Sequence, residues 1–86
     1  MKTIWKFPLE VTDRQRVFMP SGAKILTAQA QDGVLCLWSS VDPEKPQEER
    51  VIRIYDTGRD FDGKDGYFIS TAQMGPFVWH VFEETP

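Results

Sequence analysis

The stretch that decides the fold is Lys24-Ile-Leu-Thr-Ala-Gln-Ala-Gln31, followed by Asp32-Gly33 and Val34-Leu-Cys-Leu-Trp-Ser-Ser-Val41. Both runs have the apolar and β-branched content of strands. The Asp-Gly pair between them tolerates the positive φ angles of a type I′ turn. The sequence therefore predicts a β-hairpin from Lys24 to Val41.

Counting outward from this turn predicts which residues face one another. One face is apolar, with Ala30 opposite Leu35, Ala28 opposite Leu37 and Leu26 opposite Ser39. The other face is mixed, with Gln31, Gln29 and Thr27 opposite Val34, Cys36 and Trp38. We expect the second face to be partly wet or covered by a neighbouring strand or subunit.

The rest of the chain also has strand spacing. Further strands are predicted at residues 3–10, 15–19, 51–55, 67–74 and 77–83, with exposed charged loops at 42–50 and 56–66. The first two strands are expected to form a hairpin of their own, with Pro8 restricting the first to a sheet edge. The last strand is apolar on both faces, so it should be central. These features predict an all-β fold, a small antiparallel β-sandwich or barrel of about seven short strands, in a single domain over 1–86.

Composition excludes several classes of protein. A formal net charge of −3 and a pI near 5.0 argue against binding to duplex nucleic acid. No apolar run is long enough for a signal peptide or a membrane span, so we expect a cytoplasmic protein. The single cysteine, Cys36, cannot form an internal disulfide and is interpreted as a small buried hydrophobe. A chain of this size buries only about 60–65% of its unfolded surface, and with its three tryptophans and apolar terminal strands this favours a homo-oligomer.

Two segments resemble chemical sites without matching them. The run Asp56-Thr-Gly-Arg-Asp60-Phe-Asp62-Gly63 has alternate carboxylates, but the EF-hand spacing fails at its first and last ligands. The only histidine, His80, would have to be the base of any catalytic dyad or triad, and no nucleophile motif accompanies it. We therefore expect no metal, no cofactor and no enzymatic activity.

The candidate binding residues form two groups. A protein partner would use the mixed face around Trp38, with Gln29 and Thr27, together with the acidic 56–66 loop. An anionic small molecule such as a nucleotide would instead use arginines and an aromatic ring in a pocket between subunits. The residues proposed for that pocket are Arg14, Arg53, Tyr55 and Arg59.

Four segments resemble a family of small proteins from tailed phages and prophages, classed as a domain of unknown function. They are Lys6-Phe-Pro8-Leu9-Glu-Val-Thr12-Asp13-Arg-Gln15, Pro20-Ser-Gly22-Ala23-Lys-Ile25-Leu26, Leu37-Trp38-Ser-Ser-Val41-Asp42-Pro43 and His80-Val81-Phe82. The resemblance implies a phage origin and a small β-rich domain, and it transfers no catalytic residue.

A phage origin favours a non-enzymatic accessory protein that occupies a host factor in the host cytoplasm, as a counter-defence inhibitor does. One alternative is a sponge for an anionic nucleotide signal. Another is a small structural or adaptor component of the phage particle.

Overall fold

The computed structural model describes residues 1–61, 63 and 66–85, and it is built of β-strands. Its seven strands are β1 (Thr3–Pro8), β2 (Arg14–Pro20), β3 (Lys24–Gln31), β4 (Val34–Val41), β5 (Gln47–Asp56), β6 (Tyr67–Met74) and β7 (Phe77–Glu83). Among these residues there is no helix long and apolar enough to cross a membrane.

The strands form two antiparallel sheets, with strand orders β1-β4-β3 and β2-β5-β7-β6. Side chains from both sheets meet in one core, which includes Leu35 and Leu37 of β4, Ile52 of β5 and Val81 of β7. All four are almost fully buried. The predicted all-β class is confirmed, and its sandwich form is the one that occurs, with β7 inside its sheet as predicted.

The central hairpin forms with the predicted turn, since both Asp32 and Gly33 have positive φ angles of 52° and 77°. Five of its six predicted pairs are present, from Gln31 with Val34 to Thr27 with Trp38. The sixth is wrong, because Ile25 lies opposite Ser39 in place of Leu26. A β-bulge between Ile25 and Thr27 inserts one residue and leaves Leu26 half exposed.

The first two strands do not form a hairpin, which corrects the prediction. β1 pairs with β4, whereas β2 pairs with β5 in the other sheet. The segment between them crosses from one sheet to the other. Leu9 donates its amide to the Leu35 carbonyl at 2.8 Å, and the Asp13 carbonyl accepts from Ile54 at 3.3 Å. Pro8 lies on an edge strand, as its missing N–H requires.

The charged loop predicted at 42–50 is shorter than expected, because β5 begins at Gln47. Its first four residues pair with Val17–Pro20 of β2. Ion pairs satisfy the charges there: Arg16 contacts Glu49 at 3.5 Å, and Arg50 contacts Glu83. The charges of residues 47–50 predicted a solvated loop, whereas cross-strand pairing makes these residues part of a strand.

The two sheets approach each other along one edge, where the edge strand β3 of one sheet lies beside the edge strand β6 of the other. Ser70 Oγ accepts a hydrogen bond from the Ala28 amide at 2.9 Å and lies 3.1 Å from Thr27 Oγ1. This side-chain contact joins the sheets without a backbone ladder. It leaves the outer faces of the two sheets as the two broad surfaces of the protein.

Candidate functional site

The seven predicted binding residues do not form one site, because they lie on opposite faces of the sandwich. By register, Thr27, Gln29 and Trp38 face outward from the β1-β4-β3 sheet. Arg14, Arg53 and Tyr55 face outward from the β2-β5-β7-β6 sheet, and Arg59 lies over Tyr55 from the following loop. The residues of each predicted group therefore lie close together, but the two groups lie on opposite faces of the sandwich.

The face around Trp38 is polar and internally hydrogen-bonded. Trp38 itself is half-buried, and Gln29 Nε2 donates to Thr27 Oγ1 at 3.3 Å. Lys6 Nζ donates to Gln31 Oε1 at 2.9 Å across the sheet. Cys36 on the same face is only 2% exposed, which confirms its interpretation as a buried residue.

Four aromatic rings form one contiguous cluster on the opposite face, in which each ring contacts at least one other. The ring centroids of Tyr55 and Phe61 are 5.1 Å apart, those of Tyr55 and Phe82 are 5.8 Å apart, and those of Phe68 and Phe82 are 5.4 Å apart. The last two pairs meet edge to face, the arrangement that ring quadrupoles favour. Phe61 and Phe68 are 52% and 59% exposed, so the cluster is open to solvent.

Two guanidinium groups flank the cluster. Arg53 and Arg59 lie over the Tyr55 ring, with Cζ 5.5 Å and 5.6 Å from its centroid, within cation–π range. We call these six residues the aromatic–arginine face: Tyr55, Phe61, Phe68, Phe82, Arg53 and Arg59.

Strand register explains why this face exists. Arg53 of β5 lies opposite Phe82 of β7, and Phe82 lies opposite Phe68 of β6. A β-bulge between Phe68 and Ser70 lets Phe68 point outward while Ser70 points into the core. Three neighbouring strands thus contribute one row of side chains.

The arginines around the cluster are already paired with carboxylates. Arg59 binds Asp13, and this hydrogen bond lowers the pKa of Asp13 and raises that of Arg59. Arg14 and Arg53 both bind Glu84, at 2.9 Å and 3.1 Å. The hydrogen bond from Arg14, assisted by Arg53, holds the pKa of Glu84 below its ordinary value. These pairs fix the guanidinium groups in position and reduce their net charge.

A small cavity of about 250 Å³ lies beside the cluster, under the start of the loop. Its lining includes Thr57, Arg59, Phe61 and His80. Both imidazole nitrogens of His80 contact hydroxyls, Nε2 with Thr57 Oγ1 at 2.8 Å and Nδ1 with Thr71 Oγ1 at 3.0 Å. This arrangement holds the ring in one orientation and ties the loop to β6 and β7.

The 56–66 loop is described only in part. Asp62, which the rejected calcium interpretation would need as a ligand, lies outside the described residues, as do Lys64 and Asp65. Within the described ranges, no three His, Cys, Asp or Glu residues are grouped closely enough to hold a metal ion.

One family model matches the chain, and it covers residues 1–86. Its description is a domain of unknown function, DUF7352. The chain belongs to this family. No curated protein and no solved structure matches it. The match agrees with the predicted class of unknown function and assigns no role to any residue.

Sequence reasoning missed Phe61, Phe68 and Phe82. The alternation of β7 indicated that Phe82 and His80 share a face. It did not indicate which strands lie beside β7, so the convergence of the rings could not be derived. Glu84 was missed for the same reason, because its partners lie on β2 and β5.

Proposed function

We propose that this chain is a non-enzymatic binding protein that occupies a partner protein through its aromatic–arginine face. The single observation that carries the proposal is the cluster of four touching rings, two of them more than half exposed, on the outer surface of a sheet. An apolar cluster with a polar border is typical of protein interaction sites.

The composition of the face supports a protein partner. Tyrosine and arginine are enriched among the residues that dominate binding energy at interfaces, and aromatic side chains supply contact area at low entropic cost. Here Tyr55 is buried beneath Arg53, Arg59 and Phe61, so the surface is held rigid before a partner arrives. Pre-organisation of this kind reduces the cost of binding.

The pairing of the arginines favours this function over a nucleotide sponge. A phosphate would compete with Asp13 for Arg59 and with Glu84 for Arg14 and Arg53. The cavity beside Arg59, about 250 Å³, is smaller than the roughly 300–1,000 Å³ usual for ligand pockets, and the cavity of about 610 Å³ beside Arg14 is lined by four glutamates, which disfavour a phosphate. Nucleotide sequestration is therefore the second candidate, and it depends on whether the arginines can exchange their partners.

The biological setting is part of the same proposal. The resemblance of the chain to small phage and prophage proteins supports a phage-encoded accessory protein that acts in the host cytoplasm on a host factor. Homo-oligomerisation stays a prediction. The free edge of β1, where Ile4 is 59% exposed, is a surface that a second copy could cover. A role in the phage particle is the remaining alternative.

Two exposed phenylalanines provide a matched experiment. Phe68 is 59% exposed within the aromatic–arginine face, whereas Phe77 is 54% exposed at the other end of the β6–β7 pair and stacks on Trp79. Tagged wild-type protein, Phe68→Ala and Phe77→Ala are used to capture proteins from a bacterial host lysate, with quantification by mass spectrometry.

The proposal expects one host protein at near-equimolar yield with wild type and with Phe77→Ala. Phe68→Ala should reduce that yield about tenfold, the loss of roughly 1.4 kcal/mol of binding free energy. Equal yields from both variants would overturn the assignment of the face. A wild-type protein that retains a small molecule and no host protein would favour the nucleotide sponge.

A further inference from the structure

The outer edge of β1 has room for a further strand. β1 pairs with β4 on one side, and no other strand of the described ranges lies along its second side. The outer edge of β3, at the other end of this sheet, lies beside β6 and is covered there. An edge strand presents a row of backbone N–H and C=O groups that can template another strand. Extension of this sheet would therefore occur at β1.

The backbone alternation of β1 determines which residues present hydrogen-bonding groups at its outer edge. Leu9 donates its amide to the Leu35 carbonyl at 2.8 Å, so every second residue back to Thr3 bonds to β4 in the same way. The residues between them direct their backbone groups outward: Ile4, Lys6 and Pro8. Pro8 has no N–H, so its place in the outward set costs the sheet no hydrogen bond.

The charged side chain of β1 does not block this edge. Charged side chains on an edge strand often prevent pairing with another chain. Lys6 is the charged residue of β1, but its Nζ donates to Gln31 Oε1 of β3 at 2.9 Å, so the side chain extends across the sheet and away from the edge. The edge strand β2 of the other sheet, by contrast, carries Arg14 and Arg16. β1 is therefore the less protected of these two edges.

Trp5 lies on the core side of this edge and is incompletely covered. It lies opposite Ser39, which is fully buried, and residues opposite one another share a face of the sheet. Its ring is 6.4 Å from that of Phe7, which packs against the core. Trp5 is nevertheless 38% exposed. A second sandwich placed edge to edge with the first would continue the core and cover this ring.

Charge and hydrogen-bonding geometry select one register for two antiparallel β1 strands. Both members of an antiparallel pair must direct their backbone bonds alike, so the two-fold axis passes through a residue. An axis at Ile4 sets Lys6 opposite Lys2 of the second copy, and an axis at Lys6 sets two lysines opposite each other. Like charges in this relationship are destabilising. An axis at Trp5 instead sets Ile4 opposite Lys6, and both residues have outward backbone groups.

We propose that two copies of this chain associate through antiparallel β1 strands, with the two-fold axis at Trp5. Ile4 of each copy exchanges backbone hydrogen bonds with Lys6 of the other, and the two three-stranded sheets become one continuous sheet. The two Trp5 residues form the close, non-hydrogen-bonded pair at the centre and cover one another. This inference makes the expected homo-oligomer specific, and it does not depend on the aromatic–arginine face, which lies on the other sheet.

The test places either charge at the position that faces Lys6 of the second copy. Ile4→Glu and Ile4→Lys are compared with wild type, since Ile4 is 59% exposed at the edge. Leu26→Glu and Leu26→Lys are the matched controls, because Leu26 is 45% exposed on β3, away from this edge. Sedimentation equilibrium of the untagged proteins at low salt gives the Kd of each dimer.

We expect Ile4→Lys to raise the dimer Kd about tenfold, because a lysine then lies opposite Lys6 twice in each dimer. Ile4→Glu should lower the Kd, and the Leu26 variants should match wild type. A Kd raised equally by Ile4→Glu and Ile4→Lys would overturn the register. A dimer unaffected by either Ile4 variant, or a wild type that stays monomeric up to about 100 μM, would overturn the interface.

Cross-linking provides a second measurement of the register. The Cα separation of a close antiparallel pair, about 4.5 Å, lies within the range of a disulfide. Trp5→Cys should therefore form a disulfide-linked dimer under mild oxidation. Thr3→Cys is the control, because the proposed axis sets Thr3 opposite Phe7 of the second copy. Cross-linking of the two variants at equal rates would contradict an axis at Trp5.

The failure of this interface is distinguishable from the failure of the proposed function. A second copy adds 9.9 kDa to the mass of the native species, and Phe68→Ala should retain this dimer while it loses the captured host protein. A monomeric wild type whose captured protein is released by Ile4→Lys would assign the edge to a strand of the host protein, and it would overturn the dimer.

Discussion

The ring of Phe61 lies 5.1 Å from the ring of Tyr55, so the loop that follows β5 is anchored on the strand it leaves. Phe61 also contacts Phe82 of β7, at 6.0 Å between centroids. Arg59 lies over the same tyrosine and binds Asp13. The first half of this loop is thereby held against the sheet, although its aspartates and glycines are typical of a mobile segment.

Removal of this anchor should loosen the loop. Phe61→Ala deletes two aromatic contacts, so we expect the free energy of unfolding to fall by about 1 kcal/mol and trypsin to cleave faster after Arg59. Denaturant unfolding and timed proteolysis measure both. Phe18→Ala is the control, because Phe18 is 58% exposed and forms no aromatic pair with the described residues. Equal proteolysis of the two variants would contradict the anchor.

The hydrogen bond between Lys6 and Gln31 spans the strand that carries Cys36. Lys6 lies opposite Trp38 and Gln31 lies opposite Val34, so their 2.9 Å hydrogen bond crosses β4 above Cys36. We expect this bridge to shield Cys36, which faces outward by register and is only 2% exposed, because the aliphatic stem of a lysine covers the surface beneath it.

Lys6→Ala should therefore raise the rate at which Cys36 reacts with a thiol reagent under native conditions, by about tenfold. The control is Lys24→Ala, an exposed lysine opposite Ser40 on the same sheet. Unfolding free energies of both variants are measured in parallel. A rate that rises only in proportion to global unfolding would show that Lys6 does not act as a cover.

Gly66 should be the glycine least tolerant of a side chain. Its φ angle is 93°, and a Cβ would lie 2.2 Å from the Glu83 carbonyl oxygen and 2.7 Å from the Thr85 amide. Gly58 has a similar φ angle of 90°, but a Cβ there meets nothing within 4 Å. Gly58→Ala thus costs only the backbone strain, about 1–2 kcal/mol.

We expect Gly66→Ala to lose clearly more unfolding free energy than Gly58→Ala in urea, because the backbone around Glu84 must also move. It should also weaken the contact of Glu84 with Arg14 and Arg53, visible in the Nε–H resonances of those arginines. Equal losses in the two variants would mean that the strand end relaxes freely around Gly66.

Stability should fall in acid through Glu84 and Asp13. Both carboxyl groups have a pKa lowered in the folded state by arginine hydrogen bonds. Their contribution is therefore complete above the unfolded pKa and is lost as the pH falls through the lower folded pKa. In thermal unfolding from about pH 6 to pH 2, Glu84→Gln should lose less stability than wild type, because one of these groups no longer titrates. Parallel curves for the two proteins would contradict the role of Glu84.

Local signals were sufficient for the number of strands and for most of the central hairpin, but not for the start of β5. Asp32-Gly33 predicted the turn, and the bounds predicted for the last two strands, on either side of Gly75-Pro76, are those of β6 and β7. These local signals did not predict which strands pair when they are far apart in the sequence. The placement of β1 beside β4 depends on contacts that form only when both sheets pack, and no turn between β1 and β2 indicates that the chain changes sheets.

The candidate site was predictable only in its parts. Arg14, Arg53, Tyr55 and Arg59 were selected from residue type, and they do lie together. Their engagement with Asp13 and Glu84 depends on tertiary contacts between residues 31 to 70 positions apart. The bulge that turns Phe68 outward adds one residue that no alternation pattern could reveal. Some residues of this surface could therefore be selected from the sequence, but their arrangement could be described only from the structure.

The most direct test of the central claim is a native mass spectrum of the tagged protein purified gently from its host. Binding of a protein through the aromatic–arginine face predicts a wild-type species that carries the added mass of one polypeptide, retained by Phe77→Ala and lost in Phe68→Ala. A wild-type species of this chain alone, or one carrying only a small molecule, would contradict the claim.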